Sequence, residues 1–200
     1  MKNTRNSNPL FPVFLKVDQL PVLIVGGGDA GSEKLRFLMK SSPDAQVTLV
    51  AERVSEEIQQ IAAAHPHLVV RERPFKNEDL AGKRIAIIAT DNRELNSSIR
   101  DQAIAAGLLA NVADTPDLCE FYLGAIVTRG DLKVAISTNG KSPTFAKRFR
   151  QVLEEVLPDS TEALLLNLRS IRDSLKLNFG QKVTALNELT ASLVEKEGAK

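Results

Sequence analysis

The stretch VLIVGGGDAGSEKLRFL, residues 22–38, decides how this chain folds. Four apolar residues run directly into three consecutive glycines, and apolar residues at helical spacing follow them. Gly26, Gly28 and Gly31 fit the pattern G-x-G-x-x-G between a strand and a helix. In that pattern the first glycine makes a tight turn, the second lets a pyrophosphate approach the backbone, and the third lets helix and strand pack closely.

The helix after the glycines gives this pattern a binding chemistry. A helix begins with free backbone N–H groups and the positive end of its dipole, which together attract phosphate. The pattern alone is weak evidence, but here it lies in the first strand–helix unit of the chain. The alternative is a glycine-rich turn that binds nothing.

Apolar runs and helical patterns alternate along the first 113 residues. The predicted strands are 21–25, 45–51, 67–72, 84–90 and 108–113, and the predicted helices are 31–40, 55–65 and 92–107. Continuously apolar strands that alternate with helices are typical of a parallel sheet covered on both faces. The sequence therefore predicts a doubly wound, Rossmann-like α/β domain over residues 1–113, after a loose tail of about ten residues.

The pattern changes after this domain. The predicted elements are a hairpin over 124–138 around Arg129-Gly130, a helix over 142–157 capped by Ser142, and two helical stretches in 160–195 separated near 177–181. We expect a second region over 114–150 and a small helical C-terminal domain over 151–200. A mixed segment of this kind after a nucleotide-binding sheet typically supplies substrate contacts or a dimer interface.

Composition and charge exclude several classes of protein. The 26 basic and 25 acidic residues are interspersed, so the cationic field that nucleic acids and membrane surfaces require is missing. No apolar run is long enough to cross a bilayer, and the N-terminal segment lacks the apolar core of a signal peptide. A single cysteine excludes an internal disulfide and a cysteine-rich metal site, so no metal ligand is assigned. We therefore expect a cytoplasmic protein.

Two further pairs of residues follow predicted strands. Glu52 and Arg53 come after the second strand, where Glu52 would reach a ribose hydroxyl and Arg53 would face the adenine or a 2′-phosphate. The pair favours NAD, but the two residues act in opposite directions, so the sequence leaves NADP open. The alternative is an exposed loop with no role in binding. Thr90 and Asp91 follow the fourth strand at the same edge of the sheet. They either line the cofactor cleft or cap the next helix.

The second half of the chain carries a more specific pattern. The segment NVADTPDLCEFYLGAIVTRGDLKVAISTNGKSPTFAKRFR, residues 111–150, together with the glycine stretch, resembles the precorrin-2 dehydrogenase family of sirohaem synthesis. The resemblance covers about residues 20–180. It implies hydride transfer from precorrin-2 to NAD⁺ to give sirohydrochlorin. It also implies a homodimer built through the hairpin region, and in some members Fe²⁺ insertion into sirohydrochlorin, which the sequence leaves open.

The resemblance assigns roles to particular residues. Asp114 matches the catalytic aspartate, which would accept a proton from the macrocycle or orient a pyrrole N–H. On spacing alone, an Asx turn before Pro116 is the better interpretation of Asp114. The residues matching the substrate loop are Thr138, Asn139, Gly140 and Ser142, and those matching positions beside the pyrophosphate are Asp29 and Ala30. Basic residues around that loop, at Lys141, Lys147 and Arg148, would attract substrate carboxylates or simply form a solvated helix face.

Some features depart from the family or favour another function. Gly124 stands where proline is usual, and no C-terminal histidine is available for metal insertion. His65 and His67 are expected in an exposed loop, and Cys119 is expected to be a small buried apolar residue. Two alternatives to the dehydrogenase are a nucleotide-sensing regulatory module of a transport system and a dimeric tetrapyrrole carrier.

Overall fold

The computed structural model describes residues 8–191. Most of the predicted tail, residues 1–7, and the end of the last predicted helical stretch, residues 192–195, lie outside the described residues. The strands are β1 (Val22–Val25), β2 (Val47–Ala51), β3 (Leu68–Glu72), β4 (Ile85–Ile88), β5 (Leu109–Val112), β6 (Ala125–Arg129) and β7 (Leu132–Ile136). The helices are α1 (Asp29–Ser41), α2 (Glu56–Ala64), α3 (Arg93–Ala105), α4 (Pro143–Val156), α5 (Thr161–Ser174) and α6 (Phe179–Leu189).

The first five strands form one parallel sheet in the order β3-β2-β1-β4-β5. β1 lies at its centre, and all four of its residues are buried because both of its faces are covered. The strand order reverses between β1 and β4, which is where open α/β sheets bind their ligands. The predicted doubly wound fold is confirmed.

Alternate residues of β1 belong to two separate apolar cores. Val22 and Ile24 pack with Leu35 of α1 and Ile58 of α2 on one face of the sheet. Leu23 and Val25 pack in a second core that contains buried residues of α3. This alternation follows from the two-residue period of a strand. The two cores hold the carboxyl ends of the strands at one edge.

The residues that begin or end three of these helices are the ones that the sequence predicts. The Ser55 hydroxyl accepts a hydrogen bond from Ile58 N–H and caps α2. Gly107, with φ of 79°, follows the end of α3 in the left-handed conformation that glycine adopts without strain. The Ser142 hydroxyl accepts from Phe145 N–H at 3.1 Å and caps α4, as predicted.

The remaining strands and helices follow the predicted order. β6 and β7 pair in antiparallel register through a two-residue turn at Gly130-Asp131, one residue later than the Arg129-Gly130 pair that indicated it. Arg129 donates to the carbonyl oxygen of Glu154 at 2.6 Å, near the end of α4. This contact satisfies a carbonyl that the helix leaves without an intrahelical partner.

Several predicted boundaries were wrong. α1 begins at Asp29 rather than at residue 31, β4 ends at Ile88 rather than at residue 90, and α6 begins at Phe179, inside the predicted break. Two short 3₁₀ turns, Asn77–Leu80 and Pro116–Leu118, were not predicted. They contain too few residues to show a helical period.

The chain divides into two compact units. Among the described residues, one contains residues 8–124 and 137–146, and the other contains residues 125–136 and 147–191. The loop before α4 therefore groups with the parallel sheet, and the hairpin groups with the C-terminal helices. Within residues 8–191, no helix is both long enough and apolar enough to cross a membrane.

Candidate active site

Three loops meet at the carboxyl edge of the sheet. A Cβ built on Gly26 would lie 2.2 Å from the carbonyl oxygen of Ala89, which follows β4. A Cβ built on Gly27 would lie 2.1 Å from the carbonyl oxygen of Arg53, which follows β2. Ala113, after β5, donates its N–H to Ile88 at 2.9 Å. The predicted site residues of the first unit are thus gathered at this edge.

In the loop of residues 26–31, here called the glycine loop, one of the four glycines borders open space. Gly26 has a φ of 124°, which favours glycine, and a Cβ on Gly31 would lie 2.1 Å from the carbonyl oxygen of Gly26. A Cβ on Gly28 has no atom within 4 Å. Gly26 and Gly31 therefore serve the fold, and Gly28 leaves open space beside the backbone.

The start of α1 faces this open position. Gly28 is the N-cap and supplies no side-chain hydrogen bond. In the described part of the chain, no acceptor is found for the N–H groups of Asp29, Ala30 and Gly31. Free amides, a positive helix end and an open Cβ position are what a pyrophosphate requires, so these residues fit a dinucleotide.

The turn after β2 presents charged groups. Glu52 and Arg53 are both exposed, and Arg53 lies against the glycine loop through its carbonyl oxygen. Arg73, after β3, is not a candidate for ligand contact, because it donates two hydrogen bonds to Asp79 at 2.6 and 2.8 Å. That interaction and further hydrogen bonds lower the pKa of the Asp79 carboxyl to about 2, although burial opposes the shift. Glu52 and Arg53 therefore remain the candidates for contact with the ribose.

The loop after β4 is held by a buried amide. Asn96 of α3, only 6% exposed, accepts from the Thr90 hydroxyl at 2.5 Å and donates to the Thr90 carbonyl oxygen at 2.9 Å. The cap of α3 is Asn92, so the alternative role of Thr90 and Asp91 as caps was wrong. Thr90 is half-buried next to the glycine loop, and Asp91 is exposed.

Asp114 lies in a tight turn just after β5. Thr115 N–H donates to Val112 at 3.3 Å across the turn, and Asp114 has a φ of 56°. Its carboxylate is exposed, and within residues 8–191 it makes no hydrogen bond. The Asx turn expected from spacing alone is therefore not formed. The chain instead presents a free carboxylate at the edge where the glycine loop lies.

The predicted substrate loop is a turn that leads into α4. Lys141 N–H donates to the carbonyl oxygen of Thr138 at 3.1 Å. The φ angles are 53° at Asn139 and 73° at Gly140, as a type I′ turn requires. Ser142 N–H donates to the Thr138 hydroxyl oxygen at 3.1 Å. Both hydroxyl oxygens, of Thr138 and Ser142, accept backbone N–H groups, so each hydroxyl can still donate its own proton.

Several residues that shape this edge were not predicted from the sequence. Gly27 allows the close approach of Arg53. The hydroxyls of Ser32 and Ser55 hydrogen-bond to each other at 2.9 Å, and the N–H groups of both serines donate to carbonyl oxygens of the glycine loop. Asn96 holds Thr90 as described above. For Gly27, the available signal was a third glycine in a pattern that needs only two there. The serines and Asn96 gave no signal, because their contacts join residues 23 and six positions apart that no periodic pattern relates.

The remaining expectations concern histidine, cysteine and metal. His67 is exposed, whereas His65 is half-buried and its Nδ1 lies 2.8 Å from the carbonyl oxygen of Ile61. Cys119 is half-buried and hydrogen-bonded rather than simply apolar, and burial raises the pKa of its thiol. Among residues 8–191, no group of three or more His, Cys, Asp or Glu side chains is arranged to hold a metal ion.

A five-stranded parallel sheet with an open glycine loop at its switch point defines a dinucleotide-binding protein. Residues 13–125 match a family model described as "Putative NAD(P)-binding". The chain belongs to this NAD(P)-binding family, because the match covers more than half of it. Residues 129–155 match a second model, described as "Sirohaem biosynthesis protein central".

Individual relatives agree with these matches. The chain is 36% identical over 166 residues to siroheme synthase of Psychrobacter sp. (strain PRwf-1), covering 83% of this chain and 34% of that protein. It is 34% identical over 195 residues to siroheme synthase 2 of Aeromonas salmonicida (strain A449), covering 93% of this chain and 39% of that protein. The chain thus spans little more than a third of the length of these relatives.

A solved structure covers nearly the whole chain. The protein described as SirC, precorrin-2 dehydrogenase, matches with a TM-score of 0.71 at 27% identity, over 90% of this chain and 89% of that chain. The predicted resemblance to proteins of sirohaem synthesis is confirmed. These comparisons give no support to the alternative of a nucleotide-sensing module of a transport system.

Proposed function

We propose that this protein oxidises precorrin-2 to sirohydrochlorin with NAD⁺ as the hydride acceptor. The observation that carries the proposal is the free Asp114 carboxylate, held in a left-handed turn at the sheet edge that also bears the open glycine loop. The likeness to a precorrin-2 dehydrogenase over nearly the full length of both chains supports it. The sirohaem-synthesis match over residues 129–155 points to the same chemistry.

Each of the chain's own site residues would have a separate role in this reaction. When bound, NAD⁺ would supply the hydride acceptor, and the α1 amides and the open Gly28 position would hold its pyrophosphate. Loss of a hydride from the macrocycle must be accompanied by loss of a proton, which Asp114 accepts. The products are then sirohydrochlorin, NADH and one proton.

The turn before α4 would orient the substrate. Precorrin-2 carries acetate and propionate carboxylates, which need hydrogen-bond donors. The hydroxyls of Thr138 and Ser142 retain a proton to donate, and Lys141 is an exposed cation in the same turn. Charge-assisted hydrogen bonds of this kind favour the ionised carboxylates of the substrate.

The test is an anaerobic assay of the purified protein with precorrin-2 and NAD⁺. The proposal expects NADH and the sirohydrochlorin absorption spectrum to appear in equal amounts. Binding of precorrin-2 without NADH formation would identify a carrier, and NAD⁺ binding without tetrapyrrole binding would identify a nucleotide sensor. Fe²⁺ added with purified sirohydrochlorin in a separate reaction measures iron insertion independently of the dehydrogenation.

The proposed preference for NAD⁺ over NADP⁺ depends on Glu52. Its carboxylate, exposed at the end of β2, would accept hydrogen bonds from the adenosine ribose and repel a 2′-phosphate. The variant Glu52→Ala is expected to weaken NAD⁺ binding about 10–100-fold, the range for a charged hydrogen bond, without weakening NADP⁺ binding. Calorimetric dissociation constants for both dinucleotides check this, with Glu56→Ala, an exposed carboxylate of α2, as the control. Equal loss for the two dinucleotides would contradict the assignment.

We also propose that the protein is a homodimer and that α4 contributes to the interface. Val152 and Val156, one helical turn apart, form an apolar stripe on α4 and are 49% and 70% exposed. An apolar stripe of this spacing normally packs against a partner. The resemblance to a dimeric family makes a second copy of this chain the proposed partner.

Placing a charge on this stripe should separate the two copies. Val152→Asp would bury an unpaired carboxylate in the proposed interface, so we expect the mass from light scattering to fall from that of a dimer to that of a monomer. Because Val152 is half-exposed in the single chain, the fold should tolerate the change. Lys147→Asp, on the opposite side of the same helix, should leave the dimer intact. A monomeric unaltered protein would contradict the proposal.

A further inference from the structure

One sulfur atom contacts both ends of the Asp114 turn, which is formed by residues 112–115. Cys119 Sγ accepts a hydrogen bond from Val112 N–H at 3.3 Å. The same Sγ lies 3.2 Å from the carbonyl oxygen of Val112 and 3.3 Å from that of Thr115, and its single proton can be donated to either. Val112 and Thr115 are the first and last residues of the turn, so the thiol joins its two ends.

The turn requires hydrogen bonds of this kind to hold its conformation. Asp114 has a φ of 56°, a conformation that is unfavourable for residues other than glycine and is best tolerated by aspartate and asparagine. The Asp114 side chain is exposed and, among residues 8–191, makes no hydrogen bond that would fix it. The position of its carboxylate therefore depends on the backbone around it.

The chain beyond Cys119 is anchored in turn to β5. Asn111, which is buried, donates from Nδ2 to the carbonyl oxygen of Phe121 at 2.8 Å and lies 3.5 Å from Cys119 Sγ. Glu120 N–H donates to the carbonyl oxygen of Ala110 at 2.9 Å. The sulfur is thus held at a fixed distance from the strand that precedes the turn, and burial keeps its proton by raising the thiol pKa.

We infer that Cys119 is a positioning residue, whose thiol holds the Asp114 turn so that the carboxylate faces the macrocycle. The inference rests on the proposed dehydrogenation and adds to it a residue that never touches substrate or cofactor. If Cys119 had a purely apolar role, it would contribute packing but no hydrogen bonds. Cys119 and its half-buried neighbour Leu118 both pack against the core that contains buried residues of α3, but the Leu118 side chain contributes packing alone.

Three variants separate the two roles. Cys119→Ala removes the thiol, Cys119→Ser keeps a donor and an acceptor, and Leu118→Ala removes packing only. In the assay described above, Cys119→Ala should lower kcat about 10–100-fold, the loss expected when a catalytic group is misplaced by about an ångström. The NAD⁺ dissociation constant should not change. Cys119→Ser should recover most of the lost kcat, and Leu118→Ala should lower the melting temperature without lowering kcat.

A double variant tests whether the thiol acts through Asp114. If it does, adding Cys119→Ala to Asp114→Asn should lower kcat by less than about 2-fold, because the group being positioned is already inactive. Full additivity, or a Cys119→Ala variant as active as the unaltered protein, would overturn the inference and leave the proposed function standing. No turnover by the unaltered protein would overturn both.

Discussion

Asp114→Asn is expected to lower kcat for precorrin-2 oxidation by about 10²–10⁴-fold, the contribution typical of a general base. Asparagine keeps the size and polarity of the side chain but cannot accept a proton. We expect the NAD⁺ dissociation constant and the melting temperature to be unchanged. Stopped-flow absorbance of NADH under anaerobic conditions, with saturating substrates, measures the loss.

Asparagine is chosen because of the backbone at this position. Asp114 has a φ of 56°, and asparagine shares with aspartate an enrichment in left-handed conformations. Alanine has no such tolerance and would add roughly 1–2 kcal/mol of conformational cost, which would confound a loss of catalysis with a loss of structure. The asparagine variant therefore isolates the chemistry.

Asp117→Asn is the matched control for this experiment. Asp117 is an exposed carboxylate three residues further along, in the short 3₁₀ turn after Asp114. If the local negative charge were all that mattered, the two variants would lose similar activity. Turnover by Asp114→Asn at the rate of the unaltered protein would remove this carboxylate from the mechanism.

The sequence predicted the elements that repeat with a simple period. Buried strands such as Val22–Val25 are continuously apolar, and caps such as Ser55 and Ser142 stand directly before helical patterns, so each is readable locally. The glycine pattern is local in the same way. These features predicted a doubly wound parallel sheet and the edge at which the candidate site lies.

What could not be predicted depends on particular polar contacts rather than on a repeating pattern. Thr90 was predicted to lie in a strand because the run before it is apolar. The strand β4 instead ends at Ile88, and Thr90 hydrogen-bonds to buried Asn96. The left-handed turn at Asp114 is not encoded by a glycine. Cys119, read as a small apolar residue, contributes instead through hydrogen bonds to a backbone seven residues away. No periodic pattern marks polar contacts of this kind.

Gly28→Ala is expected to weaken NAD⁺ binding about 10–100-fold while leaving the fold intact. Gly28 has φ −83° and ψ −163°, an extended conformation that alanine adopts, and a Cβ there meets no atom within 4 Å. The methyl group would fill the open space where the pyrophosphate approaches the α1 amides. A forced methyl contact of this kind costs about 1–3 kcal/mol. Calorimetry with NAD⁺ and a thermal melt of the same sample measure both effects.

Two other glycines make the comparison specific. Gly31→Ala would place a Cβ 2.1 Å from the carbonyl oxygen of Gly26, so it should lower the melting temperature, because helix and strand can no longer pack. Gly180→Ala, in the first turn of α6, meets only Asn178 Oδ1 at 3.7 Å and should change neither property. Binding lost without stability at Gly28, and stability lost at Gly31, would separate the ligand-facing glycine from the packing glycine. Undiminished NAD⁺ affinity in Gly28→Ala would mean that the dinucleotide does not cross this loop, and the proposed enzyme would then lack its hydride acceptor.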